Sequence, residues 1–343
     1  MPARDKEREE RLAAALRDNL RRRKAQERSK SAAREEPTPD TARSFRLGMD
    51  MLANPAAAGE WLRAIELIES AALKHHPDAA ERMALFECMG AGRPPDWPKG
   101  LDWLARAAEL GSPSAARQLS LLAGAEGEPH ELRARIDMDR CLRPPPPREL
   151  TRRPLIRAFA GFATFEECQW LIDRVAERLG PAIVADPVSG KAVADPVRNN
   201  RSAVFQFTDL DIIVEMIRMR LSIAIGATPA FLEASQVLHY RAGEEFKPHH
   251  DYLDPSSALA GEIARNGQRA ATVLIFLNDD FEGGETRFPA IGLDYRGRTG
   301  DALMWSNVDP SGRPEPASLH AGLPPTRGEK WVFSQWVRDQ YPA

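Results

Sequence analysis

His249 and Asp251 stand two residues apart in FKPHHDY (246–252). On an extended segment, residues i and i+2 project from one face, so an imidazole and a carboxylate converge there while His250 points the other way. A second imidazole from a distant strand would complete the two-histidine, one-carboxylate face that holds non-haem Fe(II). Such a face leaves three coordination positions open for a co-substrate and oxygen. Among the seven histidines, His320 in SLHAG (318–322) is the strong candidate for that role. His239 alternates away from its neighbour Tyr240 and reads as a core or surface residue. An H-x-D pair alone is more often accidental than functional, so a further feature has to support it. Lys330 supplies one, because it opens the mostly apolar run KWVFSQWV (330–337). A lysine there costs desolvation unless it has an anionic partner, and a dicarboxylate held on the metal would be that partner. The competing reading is an edge-strand lysine that discourages aggregation.

The elements that must position these residues are legible in outline. Strand-like runs at 203–207, 235–240, 272–278, 301–305 and 330–337 alternate with turn chemistry such as EGGE (282–285) and RGRTG (296–300). Many short strands with such turns predict a sandwich, barrel or jelly roll. A helix is predicted over 164–179, with Thr164 as N-cap and Glu167 completing a capping-box spacing. The glycines of Gly283-Gly284 read as structural, supplying positive φ in a tight turn, and Trp305 and Trp336 read as core. The fold class is therefore α+β, with supporting helices around the β domain.

The front of the chain is different. SAALKHHPDAA (70–80) lines up with RAAELGSPSAA (106–116), and each copy follows an amphipathic run. A helix–turn–helix period in the thirties indicates a short solenoid over 44–125. The phrase WLARAAELGSPSAARQL (103–119) resembles the Sel-one-like repeat, a relative of the tetratricopeptide repeat, and the first copy departs from it with His75-His76 where a glycine is usual. In that family such repeats are interaction surfaces; here they either select a partner or brace the next domain. Residues 1–43 mix both charge signs without an aromatic residue and read as a solvated or partly helical tail. RPPPPR (143–148) is extended and semi-rigid, so 126–150 reads as a linker. The β domain occupies 151–343.

Taken together, YRAGEEFKPHHDY (240–252), GQRAATVLIFLN (267–278), GGETRFP (283–289), GDALMW (300–305), HAG (320–322) and KW (330–331) resemble, in order, the catalytic domain of prolyl 4-hydroxylases. The resemblance covers roughly residues 155–340. It implies a double-stranded β-helix (jelly roll, cupin-like) using Fe(II), O2 and 2-oxoglutarate, with ascorbate as supporting reductant. By position it makes His249, Asp251 and His320 the iron ligands. It pairs Lys330 with the distal carboxylate of 2-oxoglutarate, assisted by the hydroxyls of Tyr240 and Thr272, and it sets Arg198 toward the substrate. The chain departs from the family at one place, reading Arg198-Asn199-Asn200 where Arg-Thr-Ser is usual.

Bulk properties narrow the classes further. With 47 basic against 50 acidic residues the formal charge is -3, which speaks against a nucleic-acid binder. No apolar run is long enough to span a membrane, no secretory-type stretch opens the chain, and three scattered cysteines make no disulfide framework. The expected setting is cytoplasmic, with the oligomeric state open. Three functions stay in play: a protein-directed hydroxylase acting on a prolyl or other residue, a small-molecule or free amino acid hydroxylase of the same chemistry, and a non-catalytic repeat protein. The retained His249, Asp251, His320 and Lys330 weigh against the third, and the retained aspartate weighs against a halogenase.

Overall fold

The computed structural model describes residues 38–54, 59–185, 192–194, 198–257 and 259–340. The chain divides after Asp137 into two compact units.

The first unit is helical: α1 (Pro39–Ala53), α2 (Glu60–Leu73), α3 (Pro77–Met89), α4 (Trp97–Glu109), α5 (Pro113–Ala123) and α6 (Pro129–Arg135). The repeat seen in the sequence becomes two helix–turn–helix pairs, α2–α3 and α4–α5. Each second helix starts the same way, with proline at its first position and the preceding side chain as cap. His76 Nδ1 accepts the Ala79 N–H and Ser112 Oγ accepts the Ala115 N–H. The turn before each cap is left-handed. Gly111 sits there at φ 98° in the second copy and His75 at φ 67° in the first, so the histidine adopts a conformation that glycine takes freely. Its Nδ1 lies 3.0 Å from Arg106 of the other repeat. Glu81 ties the pairs further, accepting from Ser112, Ser114 and Gln118.

Two sequence expectations change here. Most of the predicted tail, residues 1–37, lies outside the described residues, and 39–43 are already the first turn of α1. The predicted linker at 126–150 is largely structured. α6 buries Leu132 in the helical unit, α7 (Met138–Leu142) follows, and the longest stretch without regular structure is 143–147. The charged, proline-bearing composition concealed two helices of seven and five residues, too short for their periodicity to show.

The second unit holds, besides α7, the helices α8 (Phe165–Val175), α9 (Ile212–Ile225) and α10 (Ala260–Asn266). Its strands are β1 (Arg148–Arg152), β2 (Leu155–Phe159), β3 (Gly180–Pro181), β4 (Ile183–Ala185), β5 (Ala192–Ala194), β6 (Arg201–Val204), β7 (Gln236–Tyr240) and β8 (Phe246–His249). They continue with β9 (Arg269–Phe276), β10 (Glu282–Gly283), β11 (Thr286–Phe288), β12 (Leu293–Tyr295), β13 (Ala302–Ser306), β14 (His320–Gly322), β15 (Pro325–Arg327) and β16 (Lys330–Arg338). An eight-stranded antiparallel sheet runs β1-β2-β13-β9-β16-β7-β6-β3, and a four-stranded one runs β12-β11-β14-β8. Leu238, Tyr240, Leu274, Phe276, Trp305 and Val332 of the large sheet pack against Phe288 of the small one, with Phe246 and Tyr295 at the margin. These are the two walls of a double-stranded β-helix. The capping box at Thr164 and Glu167 forms as predicted. Glu167 also accepts both guanidinium nitrogens of Arg220 at 2.8 Å, joining α8 to α9. The strand predicted at 203–207 ends earlier: β6 stops at Val204, and Phe207–Asp209 is a 3-10 turn capped by Gln206.

Candidate active site

β8 and β14 are neighbours in the small sheet, and their register places His249 directly opposite His320. Asp251 lies on the bend just past β8. His249 Nε2 is 3.6 Å from Asp251 Oδ1 and His320 Nε2 is 3.5 Å from Asp251 Oδ2. All three ligand atoms fall within 4.8 Å of one another, the one such cluster among the described residues. Each imidazole is oriented by its own backbone. His249 Nδ1 donates to the Lys247 carbonyl at 2.7 Å and His320 Nδ1 to the Ser318 carbonyl at 3.0 Å. That fixes the tautomer and leaves both Nε2 lone pairs facing the carboxylate. Burial pushes the His320 imidazole down to about 4 against the pull of Asp251, so it is neutral and able to ligate. Burial works against ionisation of Asp251, but His320, His249 and the Thr272 hydroxyl outweigh it and hold the carboxyl below its usual range. Two imidazoles around a carboxylate, open on the side of a cleft, are a donor set that fits Fe(II).

The cleft encloses about 420 Å³ including its open mouth and runs between the two sheets from Lys330 to Trp336. Lys330 and Tyr240 are paired neighbours on β16 and β7. The Lys330 Nζ is buried, donates to the Gly284 carbonyl at 2.7 Å, and stands 5.2 Å from the Tyr240 ring centroid. Burial pushes the ammonium down to about 8, with Glu285 opposing. Burial also pushes the Tyr240 phenol up, so it keeps its proton. Two donors in this cleft, Thr286 Oγ1 and Trp305 Nε1, are buried without a hydrogen-bond partner among the described residues. Buried orphans of this kind fit a polar guest such as 2-oxoglutarate.

The structure gathers His249, Asp251, His320, Lys330, Tyr240, Thr272 and Arg198 around this single cleft. It separates Thr272 from its expected duty. The Thr272 hydroxyl donates to Asp251 Oδ2 at 2.7 Å and accepts from Asn307 Nδ2 at 2.9 Å, so it serves a metal ligand instead of joining Lys330. Thr286, two residues beyond the glycine whose carbonyl meets Lys330, is the free hydroxyl that sequence reasoning missed. Arg198 lies over the Phe246 ring at 5.0 Å, and that ring stacks on His249 with centroids 3.5 Å apart. His250 turns away to the Pro316 carbonyl, and His239 pairs with Glu329 beneath Trp331. Trp305 and Trp336, read from sequence as core, both line the cleft. Trp305 stands edge-on to His320 and Trp336 lies under the Arg269 guanidinium. The signal was present for Trp336, since it shares strand parity with Lys330.

The profile described as the 2OG-Fe(II) oxygenase superfamily matches residues 235–338, which contain every residue of this cleft except Arg198. "Probable prolyl 4-hydroxylase 8" of Arabidopsis thaliana is 35% identical over 201 residues, covering 52% of this chain and 68% of the relative. "Prolyl 4-hydroxylase 1" of the same plant is 31% identical over 208 residues, covering 57% and 72%. A viral collagen prolyl hydroxylase from Paramecium Bursaria Chlorella virus-1, solved as a 2OG complex, aligns with a TM-score of 0.42 at 25% identity over 53% of this chain and 95% of that one. The sequence likeness reaches across two thirds of its relatives and coincides with a cleft built to hold Fe(II) beside a buried lysine: the chain belongs to the prolyl 4-hydroxylase family of 2-oxoglutarate- and Fe(II)-dependent oxygenases.

Proposed function

We propose that this oxygenase hydroxylates a C–H bond of a peptidyl substrate, a prolyl residue first among candidates, with release of succinate and CO2. The observation that carries the reading is one cleft lined both by the clustered His249, Asp251 and His320 donors and by the buried Lys330. Bound Fe(II) would supply the redox chemistry that couples O2 and 2-oxoglutarate to C–H oxidation. The protein's part is placement. Lys330 neutralises the distal carboxylate as a point charge, and the protonated Tyr240 hydroxyl and Thr286 donate hydrogen bonds beside it. Leu238, Leu274 and Val332 make the neighbouring walls apolar, which keeps water from the reacting groups. Arg198, stacked on Phe246, borders the side left to the substrate. Ascorbate is the reductant that would return oxidised iron to Fe(II).

The relatives are named as prolyl 4-hydroxylases, which supports the peptidyl reading. The Asn199-Asn200 pair after Arg198 departs from their usual pattern and makes substrate choice the point to test. Purified protein with Fe(II), 2-oxoglutarate and ascorbate is offered proline-containing peptides and free amino acids, and succinate and substrate mass are measured. A one-oxygen mass gain on a peptide prolyl residue supports the proposal. Hydroxylation of free amino acids alone moves the function to a small-molecule hydroxylase. The helical pairs are proposed as Sel-one-like repeats that select the protein partner, in a cytoplasmic setting.

A further inference from the structure

β9 ends at Phe276, and the chain leaves the large sheet just where its neighbour β16 begins with Lys330. Leu277 still donates its N–H to the Trp331 carbonyl at 2.9 Å. The next backbone pair is replaced by a side chain. Asn278 Oδ1 accepts the Trp331 N–H at 2.8 Å, and its Nδ2 donates to the Glu329 carbonyl at 2.7 Å. One amide therefore grips the residue before Lys330 and the residue after it. The same Nδ2 reaches Asp280 Oδ1 at 2.5 Å, holding the loop that returns with Gly284, whose carbonyl receives the Lys330 ammonium. The approach is tight: a Cβ on Gly328 would lie 2.7 Å from the Asp280 carbonyl oxygen.

We propose that Asn278 is a positioning residue for 2-oxoglutarate, fixing the Lys330 ammonium by holding both its flanking peptides and the loop that meets it. The inference rests on Lys330 pairing with the distal carboxylate. A lysine has four rotatable bonds and a single charge, so its placement depends on its backbone and on the one carbonyl it touches. Asn278 is part-exposed, and water can satisfy the two peptide groups after its removal. What is lost is the register of the charge, more than the fold.

The experiment measures equilibrium binding by calorimetry on the full chain loaded with Fe(II) without oxygen, for the parent, Asn278→Ala, Asn278→Asp and Lys330→Ala. Pyruvate, a 2-oxo acid without a distal carboxylate, is titrated beside 2-oxoglutarate, and Fe(II) affinity is measured separately. Asn278→Ala should weaken 2-oxoglutarate about tenfold, the scale of one or two net hydrogen bonds, and leave pyruvate and Fe(II) affinities at parental values. Asn278→Asp keeps the acceptor for Trp331 but loses the donor to Glu329, and should also weaken 2-oxoglutarate selectively. Parental 2-oxoglutarate affinity in either folded variant, or equal weakening of pyruvate and Fe(II), overturns the proposal. Should Asn278→Ala fail to fold, Asn278→Asp decides alone. If Lys330→Ala binds 2-oxoglutarate like the parent, the assignment of Lys330 fails instead, and the two failures are told apart.

Discussion

Lys330 is buried with its charge opposed by desolvation and pushed down to about 8, so an anion beside it raises its proton affinity. Binding of 2-oxoglutarate is then strongest below about pH 8, where the free site is already protonated. As pH rises through the window between the free and the bound pKa, affinity falls by about tenfold per unit. Calorimetric titrations from pH 6.5 to 9.5 check this, and pyruvate affinity should not share the slope. Thr272 makes a different prediction from the one its family position implies. Its hydroxyl holds Asp251, so Thr272→Val should cost about 10–100-fold in Fe(II) affinity, as loss of a ligand's supporting hydrogen bond does. The Kd for 2-oxoglutarate at saturating Fe(II) should stay near the parent's, and an unchanged Fe(II) affinity would return Thr272 to the co-substrate. Position along the sequence identifies hydroxyls near a site; which of two buried hydroxyls already has a partner is a three-dimensional fact, and it separates Thr272 from Thr286.

At the scale of elements, α3 and α4 cross where Gly100 leaves no room for a side chain. A Cβ there would lie 2.3 Å from Cys88 Sγ and 2.8 Å from the Ala84 carbonyl oxygen. Gly100→Ala should therefore destabilise the helical unit by about 1–3 kcal/mol, as overpacking does, which a thermal melt followed by circular dichroism would show. The pairs α2–α3 and α4–α5 were readable because their alanines and prolines recur at a fixed offset. The strands β7, β9, β13 and β16 were readable because each carries five or more consecutive apolar-rich residues. β11, β12 and β14 have three residues each, too short for any periodicity, and they exist through pairing with one another. Three of the four strands of the small sheet were thus illegible in sequence, although one of them, β14, carries the ligand His320. The H-x-D spacing did predict convergence, yet Asp251 reaches the site from a bend and not from a continued strand.

Across the whole molecule, the division after Asp137 separates the helical pairs from the oxygenase unit. If the pairs select the partner, protein lacking residues 1–137 should retain 2-oxoglutarate turnover without substrate and lose efficiency on the protein substrate. Equal efficiency on that substrate would leave the helices a bracing role. The register that sets His249 against His320 carries one more consequence. β8 and β14 are short strands with few backbone bonds, and the ion would span them like a rivet through two thin plates. Metal that binds the folded form alone adds about 1.4 kcal/mol of stability for each tenfold excess of free ion over Kd. In chelator-treated protein, amide exchange should quicken first along β8 and β14 while β9 and β16 remain protected. Iron supply would then govern how long each molecule survives in the cell, in addition to how fast it turns over.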